Sequence, residues 1–148
     1  MIDISQPIRA LSWKQPFASL MIYGKIETRT WPTTYRGLVL ICASKQPYSV
    51  AQVQNICGDH QFDRVMDAMV ALSWHRTLGH AIAVGRLVDC RPMRPKDEDK
   101  CYVQCYPDLW CHVYEEVMPI VPFPWLGSRG WKILTNADKT KIELYDHT

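Results

Sequence analysis

Short apolar segments alternate with turn-forming residues along most of this chain, a pattern typical of a sheet built from short strands. The segments that predict strands are IRALSW at 8–13, LVLICAS at 38–44, GHAIAVGRLVDC at 79–90, LWCHVYEEVMPI at 109–120, WKIL at 131–134 and KIELY at 141–145. The strand at 79–90 places Ala81, Ala83 and Gly85 on one face, where such small residues let another backbone or a ligand come close.

Two other regions have the spacing of helices. In 16–24, Pro16 suits the first helical turn, the apolar residues recur on one face, and Gly24 suits the C-terminal cap. The middle of the chain, from Tyr48 to about Leu78, also has helical periodicity, and Ser49 suits its N-terminal cap. Several short strands with a few helices outside them predict an α+β fold around a small, strongly curved sheet or barrel.

Length and composition favour a single domain covering residues 1–148, because 148 residues are enough to bury one core without disulfides or a structural metal. No apolar run approaches the length of a membrane span, so we expect no membrane partner. The N-terminal residues do not have the pattern of a secretory signal, which favours a cytoplasmic location. The charged, proline-bearing stretch RPMRPKDEDK at 91–100 is expected to be an exposed, mobile loop.

The chain contains six cysteines, which we expect to be reduced and mostly buried because nothing indicates secretion. The nearest approach to a metal site is Cys101, Cys105 and Cys111 with His112, but no Cys-x-x-Cys pair occurs. Adjacent Cys111 and His112 would point to opposite faces of a strand, which disfavours shared ligation. We therefore expect no metal and no other cofactor.

The positive charge is concentrated near the N-terminus. Residues 1–45 carry six basic and two acidic side chains, a net charge of +4, whereas the remaining eleven basic and thirteen acidic side chains give −2. Such an asymmetry suits an anionic partner such as nucleic acid, although a random scatter of surface charge sometimes produces it too.

The stretch GKIETRTWPTTYRG at 24–37 carries the chain's most reactive group of side chains. Strand alternation would place Lys25, Glu27, Arg29 and Trp31 on one face. There, an arginine offers a donor fork for a phosphate or a base edge, and a tryptophan offers a stacking surface for an unpaired base. Glu27 could accept a proton or hold an exocyclic amine, and a desolvated Lys25 could act as nucleophile or base. Spacing alone favours the simpler alternative, an exposed edge strand protected by charges.

Further residues near these elements are candidates for contacts with nucleic acid: Ser12, Lys14, Gln15, Tyr35, Arg36, Ser44, Lys45 and Arg129. Most of them follow strand ends or stand in turns, where polar residues are also common without any ligand. Trp13 and Trp131 are expected in the core, and His80 and His112 are expected to be structural. No Gly-rich phosphate loop and no Gly-x-Ser-x-Gly elbow occurs, so neither an NTPase nor a serine hydrolase is indicated.

The segment 10–45 resembles the signature of ASCH domains. The matching positions are Gln15, Pro16, Phe17, Ala18, Gly24, Lys25, Glu27, Arg29, Trp31, Arg36, Gly37, Ala43 and Ser44. The segment at 79–90 resembles the family's second conserved strand, and VPFPWLGSRGWKIL at 121–134 resembles its closing segment. The predicted helical region from 48 to 78 and the segment 91–108 do not match the family pattern. About a dozen positions in order are far more specific than a short motif.

The resemblance implies a PUA-like β-barrel, a fold that relates these domains to RNA-binding and modified-base-reading modules. ASCH domains are proposed to bind RNA in a cleft beside the first helix, so the expected ligand is RNA or a nucleoside or nucleotide. One branch removes the acetyl group from N4-acetylcytidine with a lysine, a threonine and a glutamate, and other members are described as nucleases. For an enzyme of this kind, Lys25 and Glu27 are the tentative catalytic residues.

The chain departs from the family pattern at the lysine. The family has Gly-x-Lys-x-x-Glu, whereas this chain has the shorter Gly24-Lys25-Ile26-Glu27, and the amidohydrolase branch has threonine at the position of Glu27. Both differences favour RNA or nucleobase binding over catalysis. The alternatives are a small hydrolase acting on a modified nucleoside, a ribonuclease, or a protein-interaction module that uses the predicted loop at 91–108.

Overall fold

The structure, a computed structural model, describes residues 2–71 and 74–145. Its strands are β1 (Ile8–Trp13), β2 (Glu27–Arg29), β3 (Gly37–Ala43), β4 (His80–Pro92), β5 (Trp110–Pro124) and β6 (Lys132–Ile133). Its helices are α1 (Phe17–Met21), α2 (Val50–Ala71), α3 (Glu98–Cys101) and α4 (Asn136–Lys139), with 3-10 turns at Trp74–Thr77 and Pro95–Asp97. The helical region predicted from 48 to 78 includes residues 72 and 73, which lie outside the described residues.

The strands form one mixed sheet in the order β2-β5-β4-β3-β1-β6. Strands β1 and β3 run parallel and the other neighbours run antiparallel. The predicted α+β class is confirmed. The predicted barrel is not found, because within the described residues the sheet is open, with β2 and β6 at its two edges. These edge strands are only three and two residues long, and among the described residues they do not pair with each other.

The long strands β4 and β5 curve, because their pairing shifts register at three places. The small residues predicted on β4 make room for the neighbouring strand. A Cβ added at Gly85 would lie 2.9 Å from Cγ2 of Val117 and 3.3 Å from Cδ2 of Tyr114, and Ala81 and Ala83 are fully buried. The nearest neighbours of Gly85 are therefore side chains of β5. The three residues do not share one face as predicted, because the register shift between Ala81 and Ala83 places these two in cores on opposite faces of the sheet.

Both faces of the central strand β3 are buried. Val39, Ile41 and Ala43 join the larger core, which packs beneath α1 and α2. The alternate residues Leu38, Leu40 and Cys42 join a second core on the other face of the sheet. This two-sided burial explains why the segment is apolar at nearly every position instead of at every second one.

The segment 91–108, predicted as an exposed loop, is exposed at most of its positions, but it contains regular structure that was not predicted. It contains the Pro95–Asp97 turn and α3, and it buries Met93, Cys101 and Val103. Asp97 accepts two hydrogen bonds from the guanidinium of Arg91, at 2.8 and 2.9 Å, which ties the turn to the end of β4. The apolar residues that anchor the segment are isolated between charged ones, so no periodicity revealed them. Among the described residues, no helix is long and apolar enough to cross a membrane.

Candidate functional site

Three charged side chains from the predicted hairpin converge at β2. The edge strand pairs with β5, with Glu27 opposite His112 and Arg29 opposite Trp110. Lys25 Nζ lies 3.0 Å from Oε1 of Glu27, and Arg29 Nη2 lies 3.0 Å from Oε2. The carboxylate is therefore held between two cations, one on each oxygen.

Burial differs along this group of charges. The exposed fraction of the side chain is 1% for Lys25, 9% for Glu27 and 20% for Arg29. Lys25 Nζ also donates to the carbonyl of Ile26 and lies 5.2 Å from the centre of the Phe17 ring. Lys25 thus lies behind Glu27, while Arg29 reaches the surface.

The environment of Glu27 keeps its carboxyl ionised. Burial by itself raises the pKa of Glu27, but the charges of Lys25 and Arg29 oppose this, as does a hydrogen bond from the Thr28 backbone N–H to Oε1 at 3.0 Å. The net effect is a pKa below the usual range of a glutamate. A carboxylate of this kind accepts hydrogen bonds from a ligand in contact with it, and its lowered pKa makes it a weak base.

Arg29 is held in one orientation by contacts on several sides. Its Nη2 donates to the carbonyl oxygen of Ser12 at 3.0 Å, and its guanidinium lies 4.9 Å from the centre of the Trp13 ring. Its Nε is buried without a hydrogen-bond partner in the described part of the chain. Nε is therefore an enclosed donor, and Nη1 makes no hydrogen bond within the described residues.

These residues lie at a cleft of about 320 Å³. Its lining residues come from the ends of β1 and β3, the start of α1, strand β2 and the segment before α2: Ser12, Trp13, Lys14, Phe17, Glu27, Thr28, Arg29, Ser44 and Tyr48. We call it the base cleft. Because the Ser44 N–H donates to the Trp13 carbonyl at 2.9 Å, the ends of the parallel strands lie side by side at the cleft.

Tyr48 is a lining residue that the sequence analysis did not select. Its backbone N–H donates to the Gln15 carbonyl at 2.9 Å, and its ring packs edge-on against Phe17 at 5.7 Å between centres. Lys14 Nζ lies 5.2 Å from the centre of the Tyr48 ring. Burial, and then the charge of Glu27, raise the pKa of Tyr48, so its phenol is neutral. The sequence contains one feature that points to Tyr48 as a lining residue: it is an aromatic residue four positions after Ser44, where the predicted strand ends.

A second cleft of about 350 Å³ adjoins the base cleft. Ser12 and Ser44 line both clefts, and the second is also lined by Lys45, Gln46 and the segment 125–129, which includes Arg129. The structure thus brings the predicted residues Ser12, Ser44, Lys45 and Arg129 to one place.

Trp31 packs away from the base cleft. Its ring lies edge-on to His112 at 4.9 Å and to Trp131 at 5.9 Å between centres. It lines a separate depression of about 520 Å³ that shares Thr28, Arg29 and Tyr48 with the base cleft. A ligand in the base cleft would therefore stack on other rings.

Gln15, Tyr35 and Arg36 line neither the base cleft nor the second cleft. Gln15 is fully buried, and its amide bonds to Ser19 and Thr77. Tyr35 donates its hydroxyl to the Leu38 carbonyl at 2.6 Å, and Arg36 donates to backbone carbonyls of its own turn. The side chains of these three predicted site residues hold local structure.

His112 and Cys111 lie on β5, where they pair with Glu27 and Thr28 of β2. His112 is fully buried, its Nε2 donates to the Trp31 carbonyl at 2.8 Å, and burial lowers its pKa. The thiols of Cys101 and Cys111 are 3.8 Å apart, and all six cysteines are free. Within residues 2–71 and 74–145, no group of three His, Cys, Asp or Glu side chains is arranged to hold a metal ion.

Comparison with known proteins gives this chain no family. Its sequence matches no family model, and no curated protein matches it at a significant level. We therefore infer a function from the residues of the cleft and from the resemblance in their sequence.

Proposed function

We propose that this protein binds a nucleobase of single-stranded RNA, or of a nucleotide, in the base cleft. The observation that carries the proposal is the position of Arg29. Its guanidinium is fixed by Glu27, by the Ser12 carbonyl and by the Trp13 ring, and it lines a cleft beside α1. As part of the same proposal, the protein is an ASCH domain of the PUA-like superfamily whose sheet is open.

The Glu27–Arg29 pair has the chemistry needed to recognise the edge of a base. Oε1 of Glu27 already accepts two hydrogen bonds, whereas Oε2 accepts one from Arg29 and keeps a free lone pair. Nη1 of the same Arg29 guanidinium makes no hydrogen bond within the described residues and supplies the donors. Nucleobases present a donor next to an acceptor on their Watson–Crick edges, which is the pattern that this pair complements.

The walls and the charge of the cleft suit the rest of a nucleotide. Phe17 and Tyr48 provide aromatic surface, on which unpaired bases stack. Lys25 neutralises Glu27 from behind, so Arg29 and the exposed Lys14 leave the cleft with net positive charge. Such a charge attracts the phosphate backbone of a single strand.

Fluorescence anisotropy with labelled single-stranded RNA of mixed sequence tests the proposal. Tyr48→Ala should weaken binding about tenfold by removing a stacking surface. Lys14→Ala should weaken it less and reduce the slope of log K against log salt by about 0.7. The matched control is Lys141→Ala, which removes an exposed lysine that lines neither cleft and should change nothing. Absence of binding at low salt, or equal binding by Tyr48→Ala, Lys14→Ala and the wild type, would contradict the proposal.

A second candidate, hydrolysis of N4-acetylcytidine, is favoured by one observation: an ionised carboxylate, Glu27, lines the base cleft. Glu27 would take a proton from water as the water oxygen attacks the acetyl carbonyl. The C–N bond would then break, N4 would receive the proton, and cytidine and acetate would result. Lys25 would act by holding Glu27, because its ammonium is buried in the ion pair and has no free electron pair for attack.

Chromatographic detection of cytidine after incubation with N4-acetylcytidine tests this second function. Release by the wild type and its loss in Glu27→Gln would support it, and no release at high protein concentration would remove it. No observation specifically favours the third hypothesis, protein interaction through 91–108: the segment is anchored to the core by Met93, Cys101 and Val103, and Tyr106 is 43% exposed.

A further inference from the structure

We infer that the second cleft is a phosphate subsite, so that the ligand is a nucleotide or a nucleic-acid strand and not a free nucleoside. This inference rests on the proposed function, because it assigns the base to the adjoining base cleft. The two clefts share Ser12 and Ser44, and their volumes are about 320 and 350 Å³. Together they have the size of an ordinary small-molecule site, about 300–1,000 Å³.

The junction between the clefts is polar and tightly built. Ser12 lies near the end of β1, and Ser44 directly follows β3, its parallel neighbour. On the opposite wall, a Cβ added at Gly127 would lie 3.0 Å from Oγ of Ser12, so the backbone of 125–129 approaches this serine closely. Serine hydroxyls at the junction can hydrogen-bond a ribose or a phosphate, groups that lie between one base and the next.

Lys45 is positioned at the second cleft by its own carbon chain. The chain lies over Gly79, where an added Cβ would be 3.1 Å from Cγ and 3.7 Å from Cε of Lys45. Gly79 has φ +74°, donates to the Ala43 carbonyl at 2.9 Å, and accepts from the Trp125 N–H at 2.9 Å. Gly79 therefore ties together the end of β3, the stem of Lys45 and the start of the opposite wall.

Charge distinguishes the two clefts. The charged residues that line the second cleft, Lys45 and Arg129, are both basic. A third cation stands close by, since Lys132 Nζ lies 4.9 Å from the centre of the Trp125 ring, another part of the lining. The base cleft is also lined by Arg29 and Lys14, but it contains the carboxylate of Glu27 as well, which repels a phosphate placed beside it. A phosphate is therefore favoured in the second cleft, and a base with both donors and acceptors is favoured beside Glu27 and Arg29.

Isothermal titration calorimetry with matched ligands tests the subsite. The probes are the four common ribonucleosides and their 5′- and 3′-monophosphates, with inorganic phosphate as a further probe. At least one monophosphate should bind about tenfold more tightly than its nucleoside, because charge-assisted hydrogen bonds to the phosphate are added. Lys45→Ala and Arg129→Ala should remove most of this advantage and leave nucleoside affinity unchanged, whereas Lys45→Arg should retain it.

The controls separate this inference from the proposal on which it rests. Lys141→Ala, which removes an exposed lysine elsewhere, should leave both affinities unchanged. Equal affinity for nucleoside and monophosphate, or a phosphate advantage that survives the double variant Lys45→Ala/Arg129→Ala, would overturn the subsite while base binding stands. If neither nucleosides, monophosphates nor single-stranded RNA bind, the proposed function itself fails and the subsite with it.

Discussion

Lys25 Nζ lies 3.0 Å from Oε1 of Glu27, and both side chains are almost wholly buried. Arg29 occupies the other oxygen of the same carboxylate. Removing one partner of a buried ion pair is costly, because the remaining charge stays away from water without compensation. The pair therefore anchors the three-residue strand β2 as well as shaping the base cleft.

Lys25→Met should lower the free energy of unfolding by about 3 kcal/mol, because it keeps the shape of the side chain and removes its charge. Urea denaturation measures this loss. The exposed-pair control Arg86→Ala should cost less than about 1 kcal/mol, since the Arg86–Glu116 contact, at 3.8 Å, is open to solvent. In Lys25→Met/Glu27→Gln, part of the loss should be recovered, because the buried carboxylate is removed together with its lysine, while Arg29 reaches the surface and keeps its bond to the Ser12 carbonyl. Strictly additive effects of the two substitutions would contradict a coupled pair.

The ion pair between Arg91 and Asp97 should contribute to acid stability. Hydrogen bonds from Arg91, joined by the Arg94 N–H and opposed by burial, lower the pKa of Asp97 to about 2. In the unfolded chain the carboxyl of Asp97 titrates at about pH 3.9. The stabilisation by the ion pair is therefore complete above that pH and disappears as the pH falls towards 2. The difference in melting temperature between wild type and Asp97→Asn should therefore shrink over this interval. Asp63→Asn, an exposed control, should show no such trend.

The buried His112 should make stability depend on pH in a higher range. Burial lowers its pKa, so below about pH 6.5 the unfolded chain takes up a proton that the folded chain does not. Stability is thus lost as the pH falls from 7 towards 5, and the wild type should lose more of it than His112→Gln, which has no titrating ring. If the melting temperatures of the wild type and of His112→Gln fall equally between pH 7 and pH 5, this role of His112 is contradicted. His75→Gln, at an exposed position, should behave as the wild type does.

The cysteines should differ in their reactivity. Cys90 and Cys105 are partly exposed, whereas Cys42, Cys57, Cys101 and Cys111 are buried. Burial raises the pKa of Cys57 to about 11, and burial with the charge of Glu98 raises the pKa of Cys105. Iodoacetamide should therefore label Cys90 first at about pH 8, because the thiolate is the reactive form. Mass spectrometry of peptides from the native protein measures the order, and labelling in denaturant should reach all six. Rapid labelling of Cys57 in the native protein would contradict the burial described.

Whether a feature could be predicted depends on how far apart in the sequence its interacting residues are. The strands at 8–13 and 38–44 were predicted to within one residue at each end, because their pattern is local. The fold of 91–108 was missed, since it depends on Arg91 meeting Asp97 and on single apolar residues reaching a distant core. Tyr48 was missed because its place beside Phe17 depends on a bond between the Tyr48 N–H and the Gln15 carbonyl.

By itself the sequence determined the α+β class, most of the strands and the concentration of charge at 24–37. Periodicity, turn residues and charge are local properties that can be read along one chain. Only the tertiary structure decided that the sheet is open, that Lys25 is buried behind Glu27, and that Ser12 and Ser44 join two clefts. These features depend on which distant segments pack together and on which side chains lose contact with water, and the order of residues states neither directly.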